Sequence, residues 1–175
     1  KAKSIADAEL TEDAIAVQLP MAIPTGMEKP YFLMGDTAKP VNLWRWSSGT
    51  TDNPASITLL DATGIDAQEA RDANGLTAKA DYKDGTWRVV MTRALTTDQA
   101  DKDLQFQEGR FIPIAFFAWD GSNSEAGSRH AMTTWYWLLL KPSTGARPII
   151  GAIIAFFLIC GLLFWWNRSA GRSAS

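Results

Sequence analysis

Residues Pro30-Tyr31-Phe32-Leu33-Met34-Gly35-Asp36, followed by Lys39-Pro40-Val41-Asn42-Leu43-Trp44-Arg45-Trp46, decide how the rest of the chain is read. An aromatic-aliphatic run ends in a methionine, a Gly-Asp turn signal follows, and a second run alternates Trp with Arg. The pattern predicts two short strands joined by a turn, with Met34 at the end of the first. A thioether held there is a soft donor facing an apolar interior, which suits an axial position on a haem iron. The alternative is that Met34 fills a gap in the core, as most buried methionines do.

Working outward, Ala14 to Pro20 reads as an opening strand, closed by the Pro24-Thr25-Gly26 breaker. Asp84-Gly85 separates Ala78–Lys83 from Thr86–Arg93 and is a strong hairpin signal, because both residues tolerate positive φ. Trp87, Val89 and Met91 then share one face, and Arg88, Val90 and Thr92 the other. Arg110 to Gly121 is nearly continuous and apolar, as expected of a strand buried on both sides or lining a pocket, with Pro113 at an edge or bulge. The last strand is expected within Thr133–Lys141. Between Ser47 and Lys79 the composition turns to Asp, Ala, Thr, Gly and Asn, broken by Ile57-Thr58-Leu59-Leu60. It reads as a long surface excursion with a helical turn in Asp66–Asn74. Thr96 to Gln107 reads as an acidic, polar link. Short strands at this spacing indicate a mainly β chain, an antiparallel β-sandwich.

The 175 residues leave room for one such domain and one further element. The net charge of −2 argues against a nucleic-acid partner. A single cysteine, Cys160, excludes an internal disulfide and any multi-Cys zinc or iron–sulfur site. Eight tryptophans suit an apolar ligand pocket or a membrane interface. Pro148 to Trp166 carries no charged residue and is long enough to cross a bilayer core as a helix, with Trp165 and Trp166 as an aromatic belt. The expected organisation is an N-terminal extension over 1–12, which has no apolar core of signal-peptide length, and a sandwich over 13–141. A linker at 142–147, a transmembrane helix at 148–166 and a basic tail at 167–175 complete it. Lys141 and Arg147 precede the helix and Arg168 and Arg172 follow it, so the basic residues are nearly balanced. Were Lys141 buried in the folded domain, the tail would face the cytoplasm and the sandwich the outer, periplasmic side of the inner membrane.

With its strands laid out, the chain resembles the haem-b-binding gamma subunits of the type II dimethyl-sulfoxide-reductase family, typified by the ethylbenzene dehydrogenase gamma subunit. The resemblance is carried by Phe32-Leu33-Met34-Gly35-Asp36 with Pro40-Val41-Asn42-Leu43-Trp44-Arg45-Trp46, and by Asp84-Gly85-Thr86-Trp87-Arg88-Val89-Val90 with Arg93-Ala94-Leu95. Gly109-Arg110, Pro113-Ile114-Ala115-Phe116, Trp119-Asp120-Gly121 and the closing Trp135-Tyr136 follow in the family's order. The resemblance implies a β-sandwich akin to certain carbohydrate-binding modules, holding one haem b through a Met and a Lys. It puts the methionine at Met34 and the lysine at Lys141.

A lysine amine binds iron only when deprotonated, which takes burial and the pull of the metal itself. His130 is the alternative to Lys141, since imidazole is a common haem ligand, although Gly127-Ser128-Arg129-His130 reads as a solvated turn. Phe32, Trp44, Phe116, Phe117 and Trp135 are candidates to line the haem slot; any sandwich core would want the same residues. Arg45 and Arg88 either pair with the propionates or occupy a solvated strand face. The chain has no nucleophile–base set, phosphate loop or carboxylate metal cluster, so a catalytic role alone is not expected. The reading is a membrane-anchored b-type cytochrome subunit passing single electrons within a respiratory redox complex. Its partners would be a catalytic or iron–sulfur subunit and a cytochrome c or quinol-reactive subunit. A membrane-tethered carbohydrate-binding sandwich and a haem-less structural subunit are the competing readings.

Overall fold

The computed structural model describes residues 12–50, 54–73, 75–142, 145 and 147–170, with the backbone alone at 147 and 167–170. The expected extension up to residue 11, half of the linker (143, 144 and 146) and the end of the basic tail (171–175) lie outside the described residues. The chain divides into two compact units that meet at Leu140 and Lys141. The first is antiparallel β throughout: β1 (Ala14–Pro20), β2 (Val41–Ser47), β3 (Ser56–Ala62), β4 (Gln68–Arg71), β5 (Thr77–Lys83), β6 (Thr86–Thr92), β7 (Phe111–Trp119), β8 (Ala131–Met132) and β9 (Tyr136–Leu139). The second holds one helix, α1 (Arg147–Ala170).

Seven strands form one sheet in the order β4-β3-β2-β1-β7-β8, with β9 also paired to β7, while β5 and β6 form a separate hairpin. Register fixes the two faces, because residues opposed across an antiparallel pair point the same way. Ala14 lies opposite Ser47 on β2 and Trp119 on β7. Ala14, Ala16, Val41, Leu43, Ala62, Ala115, Phe117 and Trp119 therefore share a first face, where they form one buried cluster with Met34 and Trp135. Leu19, Trp44, Leu59 and Ile112 share the second face, clustered with Leu76 and Leu104. A sheet buried on both faces needs apolar residues at consecutive positions, which is why β2 and β7 read as nearly unbroken apolar runs. Pro113, with no N–H to offer, pairs with Trp137 of β9, beyond the last β1–β7 pair at Gln18 and Ala115.

The Asp84-Gly85 hairpin forms as expected, with φ of 52° and 75° at its two turn residues. Three expectations are corrected. Pro30–Met34 is not a strand but a turn, in which the Gly35 N–H donates to the Tyr31 carbonyl at 2.9 Å. Met34 and Gly35 both take positive φ, 62° and 74°, and that reversal is incompatible with an extended ladder. The Asp36 carboxylate then accepts from the Ala38 and Lys39 amides at 2.8 and 2.9 Å, closing the turn into β2. Asp66–Asn74 contains no helical turn among its described residues; it carries β4, paired with β3. Its polar sequence had suggested a surface segment, but a short edge strand needs few apolar residues.

The expected polar link at 96–107 proves to be a second-face cover. Leu104 and Asp103 are both fully buried. Arg71 on β4 reaches across to this segment. Its Nε donates to Asp61 at 2.8 and 2.9 Å, its Nη1 to Gln99 at 3.1 Å, and its Nη2 pairs with Asp103. Asn42 joins in, donating to Asp61 at 2.9 Å and to the Lys102 carbonyl at 3.0 Å. Arg93 lies 3.8 Å from Asp103 and 4.9 Å above the Trp44 ring. Burial pulls the Arg93 pKa below its ordinary value, Asp103 pushes back, and the neighbouring Arg71 adds to the lowering. Burial opposes the Arg71 charge as well, but hydrogen bonds to Asp103 and Asp61 carry its pKa upward on balance.

Over Pro148–Trp166, α1 has a mean hydropathy of 2.5 and its side chains are exposed, and these 19 residues are long and apolar enough to cross a membrane.

Two stability measurements follow from this architecture. Gly35→Ala forces a Cβ to 2.8 Å from the Lys39 carbonyl oxygen at positive φ, so it lowers stability by roughly 1–3 kcal/mol in chemical denaturation. Asp103→Asn removes the anion that two buried guanidiniums share and costs about 3–5 kcal/mol, read from the denaturation midpoint by tryptophan fluorescence.

Candidate functional site

Met34 reaches the first face because the β1–β2 loop folds over it. Two side-chain hydrogen bonds tie that loop down: Trp135 Nε1 donates to the Pro30 carbonyl at 2.9 Å, and Gln18 Nε2 donates to the Phe32 carbonyl at 3.3 Å. The strained backbone at Met34 is thus held from both sides, and its side chain is 1 % exposed among Phe117, Trp119 and Trp135. Gln18 is itself fully buried, and its Oε1 has no hydrogen-bond partner, which leaves an open acceptor on this same face.

The loop between β7 and β9 supplies the other half of the cover. Asp120 caps a short 3-10 turn, Gly121–Asn123, and the Gly121 N–H donates to Asp13 at 2.9 Å, which pins the loop to the start of β1. Hydrogen bonds from the Ser122 hydroxyl and amide hold the Asp120 carboxyl below the usual carboxylate range. Beyond this turn the His130 ring lies 5.1 Å from Phe117 and 5.3 Å from Trp119, centroid to centroid. His130 Nδ1 stands 3.1 Å from the Gly127 carbonyl oxygen. A carbonyl only accepts, so Nδ1 is the donor in this contact, and in a neutral ring the lone pair would fall on Nε2. Metal-ligating histidines are oriented in just this way, through the ring nitrogen that does not bind the metal. Trp119 Nε1 donates to the same carbonyl at 3.0 Å.

A cavity of about 290 Å³ opens on the same face beside Trp119 and Gly127, lined also by Leu43, Leu60, Arg45, Thr58 and Gln68; neither Met34 nor His130 borders it. Arg45 sits 5.5 Å from the Trp119 ring and pairs with Glu12 at 2.7 Å. Burial works to raise the Glu12 pKa, yet hydrogen bonds from Ser47 and Arg45 and the Arg45 charge hold it below the ordinary value. The first face therefore gathers a thioether, an imidazole, flat aromatic walls and a guanidinium. In donor chemistry this set fits a haem: soft sulfur and imidazole nitrogen for the iron, apolar rings for the macrocycle, and a cation for a propionate.

The other candidate residues are dispersed. Trp44 and Phe116 point from the second face, where they help to line an apolar slot of about 570 Å³ with Val17, Val89, Met91 and Ile114. Arg88 is on the exposed face of the hairpin. Phe32 is exposed in the Met34 loop, 4.7 Å from the Tyr31 ring. Lys141 is exposed and begins the second unit. Trp119 and Gln18 were not singled out in the sequence. The Asp120-Gly121 turn directly after Trp119 was the signal that its strand ends beside a loop. A polar residue in the middle of an apolar strand was the signal for Gln18.

A family model described as ethylbenzene dehydrogenase matches residues 57–131. Over 142 residues, 78 % of this chain, the sequence is 30 % identical to a protein of Haloferax mediterranei named as a respiratory nitrate reductase heme subunit, ORF7. Over 128 residues, 73 % of this chain, it is 33 % identical to the chlorate reductase subunit gamma of Ideonella dechloratans. The alignments cover 46 % and 49 % of those two proteins, so the chain spans about half the length of each. Motif order, the antiparallel framework and these matches agree in what the β domain is similar to: ethylbenzene dehydrogenase over residues 57–131, and the heme and gamma subunits of the two reductases over most of this chain.

Proposed function

We propose that this chain is a non-catalytic, membrane-anchored cytochrome subunit that binds one haem b and passes single electrons within a reductase complex. The observation that carries the reading is that the buried Met34 thioether and the His130 imidazole both stand against Phe117 and Trp119 on one sheet face. The names of the relatives, a nitrate reductase heme subunit and a chlorate reductase gamma subunit, support a haem and partner subunits. When bound, the haem supplies a one-electron couple at its iron. With two protein donors holding it, the haem would serve to exchange electrons rather than to bind a substrate.

In this proposal Met34 and His130 hold the iron, Phe117, Trp119 and Trp135 exclude water, and Arg45 meets a propionate. The resemblance had favoured Lys141 as the second donor. His130 is preferred because it shares the first unit with Met34 and stands against the same aromatic pair, whereas Lys141 is exposed. Catalysis would belong to another subunit, with the electron exchanged against its cofactor and against a quinol or cytochrome c partner. The helix Pro148–Trp166 would span the inner membrane, with the β domain outside and the C-terminus in the cytoplasm. An exposed Lys141 keeps the basic residues even across the span, so sidedness rests on the expected electron partners rather than on charge.

Reduced-minus-oxidised spectra of the full chain purified with haem test the ligand pair. The wild-type chain gives a six-coordinate, low-spin haem; Met34→Ala and His130→Ala lose it, and Lys141→Arg does not change it. Loss in Lys141→Arg with retention in His130→Ala would reverse the assignment, and a wild-type chain that takes up no haem would overturn the reading. Sidedness is read from Cys160→Ser/Val90→Cys in right-side-out vesicles. Val90 is 63 % exposed, so its replacement reacts with a membrane-impermeant maleimide if the domain faces outward.

A further inference from the structure

The edge strand β9 carries an apolar patch that neither the core nor the proposed haem site uses. Phe111 and Leu139 are directly opposed in the β7–β9 ladder, and Trp137, opposite Pro113, points to the same side. The Phe111 and Trp137 rings meet edge to face at 6.5 Å. Phe111 is 59 % exposed and Met27, from the β1–β2 loop, 81 %. Together with Pro24, Gly26 and Arg110 they border a shallow hollow of about 370 Å³. Lys29 Nζ stands 4.9 Å over the Trp137 ring. Its acidic neighbour Glu28 is committed to Lys39 at 2.6 Å. Acid is present at the rim as well, since Glu108 lies two residues from Arg110.

We infer that this patch seats on the surface of the bilayer, inserting Phe111, Met27 and the Trp137 edge among lipid headgroups and upper acyl chains. The inference rests on the reading of α1 as a membrane span. The path of the chain points to lipid as the occupant. The strand that carries Trp137 and Leu139 runs on to Leu140, and six residues, 141–146, separate it from the helix at Arg147. Even fully extended, such a connection spans no more than about 25 Å, so the patch stays close to the bilayer. The composition is that of an interfacial anchor: apolar and aromatic tips, with Lys29 and Arg110 at the edge to meet headgroup phosphates.

The test uses the full chain with Cys160→Ser, reconstituted in phosphatidylcholine nanodiscs and spin-labelled at one introduced cysteine. The sites are Met27→Cys and Phe111→Cys in the patch, Val90→Cys on the exposed hairpin, and Ile154→Cys in the helix. The readout is the ratio of collision with oxygen, which concentrates in lipid, to collision with a water-soluble nickel complex. The patch labels should show a ratio at least fivefold above that at position 90. A ratio equal to that at position 90 overturns the inference, including the case in which the patch is kept for a protein partner absent from the disc. The label at position 154 separates the two readings. If it is lipid-exposed while the patch is aqueous, only the docking fails; if it too is aqueous, the membrane span itself is lost.

Discussion

A sheet with two buried faces must be covered twice, and the rest of this domain follows from that requirement. β1 lies between β2 and β7, so its alternating residues are divided between two cores rather than between core and water. The second face is covered by a regular element, the β5–β6 hairpin, and by the segment around Leu104. The first face is covered by irregular chain alone: the β1–β2 loop with Met34, and the β7–β9 loop with His130 and Trp135. Loops that must pack against a core carry backbone groups needing partners. Here the partners are side chains from the sheet, Gln18 on Phe32 and Trp119 on Gly127, and one from the other covering loop, Trp135 on Pro30.

Asp13 joins the two covers. Its amide and carbonyl both bond Ser48, at 3.0 and 2.8 Å, which fixes it beside the end of β2. One carboxylate oxygen then accepts from Gly121 in the first-face loop, and the other from Trp87 Nε1 in the second-face hairpin, each at 2.9 Å. Trp87 in turn lies 4.9 Å from Trp46 and 4.8 Å from Tyr82, ring to ring. The hairpin shares few contacts with the sheet through backbone pairing, so this aromatic cluster and the Asp13 bond help to settle where it docks. At the far edge the Arg71, Asp61 and Asp103 network does the same for the segment that follows the hairpin. Buried ion pairs of this kind are weak evidence of net stabilisation, but their geometry admits one docking and penalises others.

What the sequence disclosed and what it concealed divide along the same line. β1, the β5–β6 hairpin, β7 and the membrane-length helix were legible, since each is set by local periodicity or by a turn dipeptide whose φ values only a few residues tolerate. The strand at Gln68–Arg71 was not, because an edge strand pairs through backbone groups that leave no apolar signature. Nor was the burial of Asp103, whose environment depends on arginines 10 and 32 positions away in sequence. His130 shows the limit most clearly. Gly127-Ser128-Arg129-His130 has the composition of a solvated turn, and only the tertiary packing brings its ring against Phe117 and Trp119. Met34 was read at a strand end and lies instead in a left-handed turn.

That difference matters to the chemistry proposed for the site. A donor at a strand end would be held by the ladder; one in a turn with φ of 62° is held only by what the loop is tied to. The ties to Met34 run to β1 and to the segment before β9, and those to His130 run to Gly127, beside the end of β7. The two candidate donors are therefore both tied back toward one sheet, Met34 through a part-buried and a buried hydrogen bond and His130 through an exposed one. For the proposed electron carrier such a frame would matter, because donors that keep their place leave little to reorganise when a charge changes. In that reading, the way the first face is covered would suit a group held permanently rather than a substrate that comes and goes.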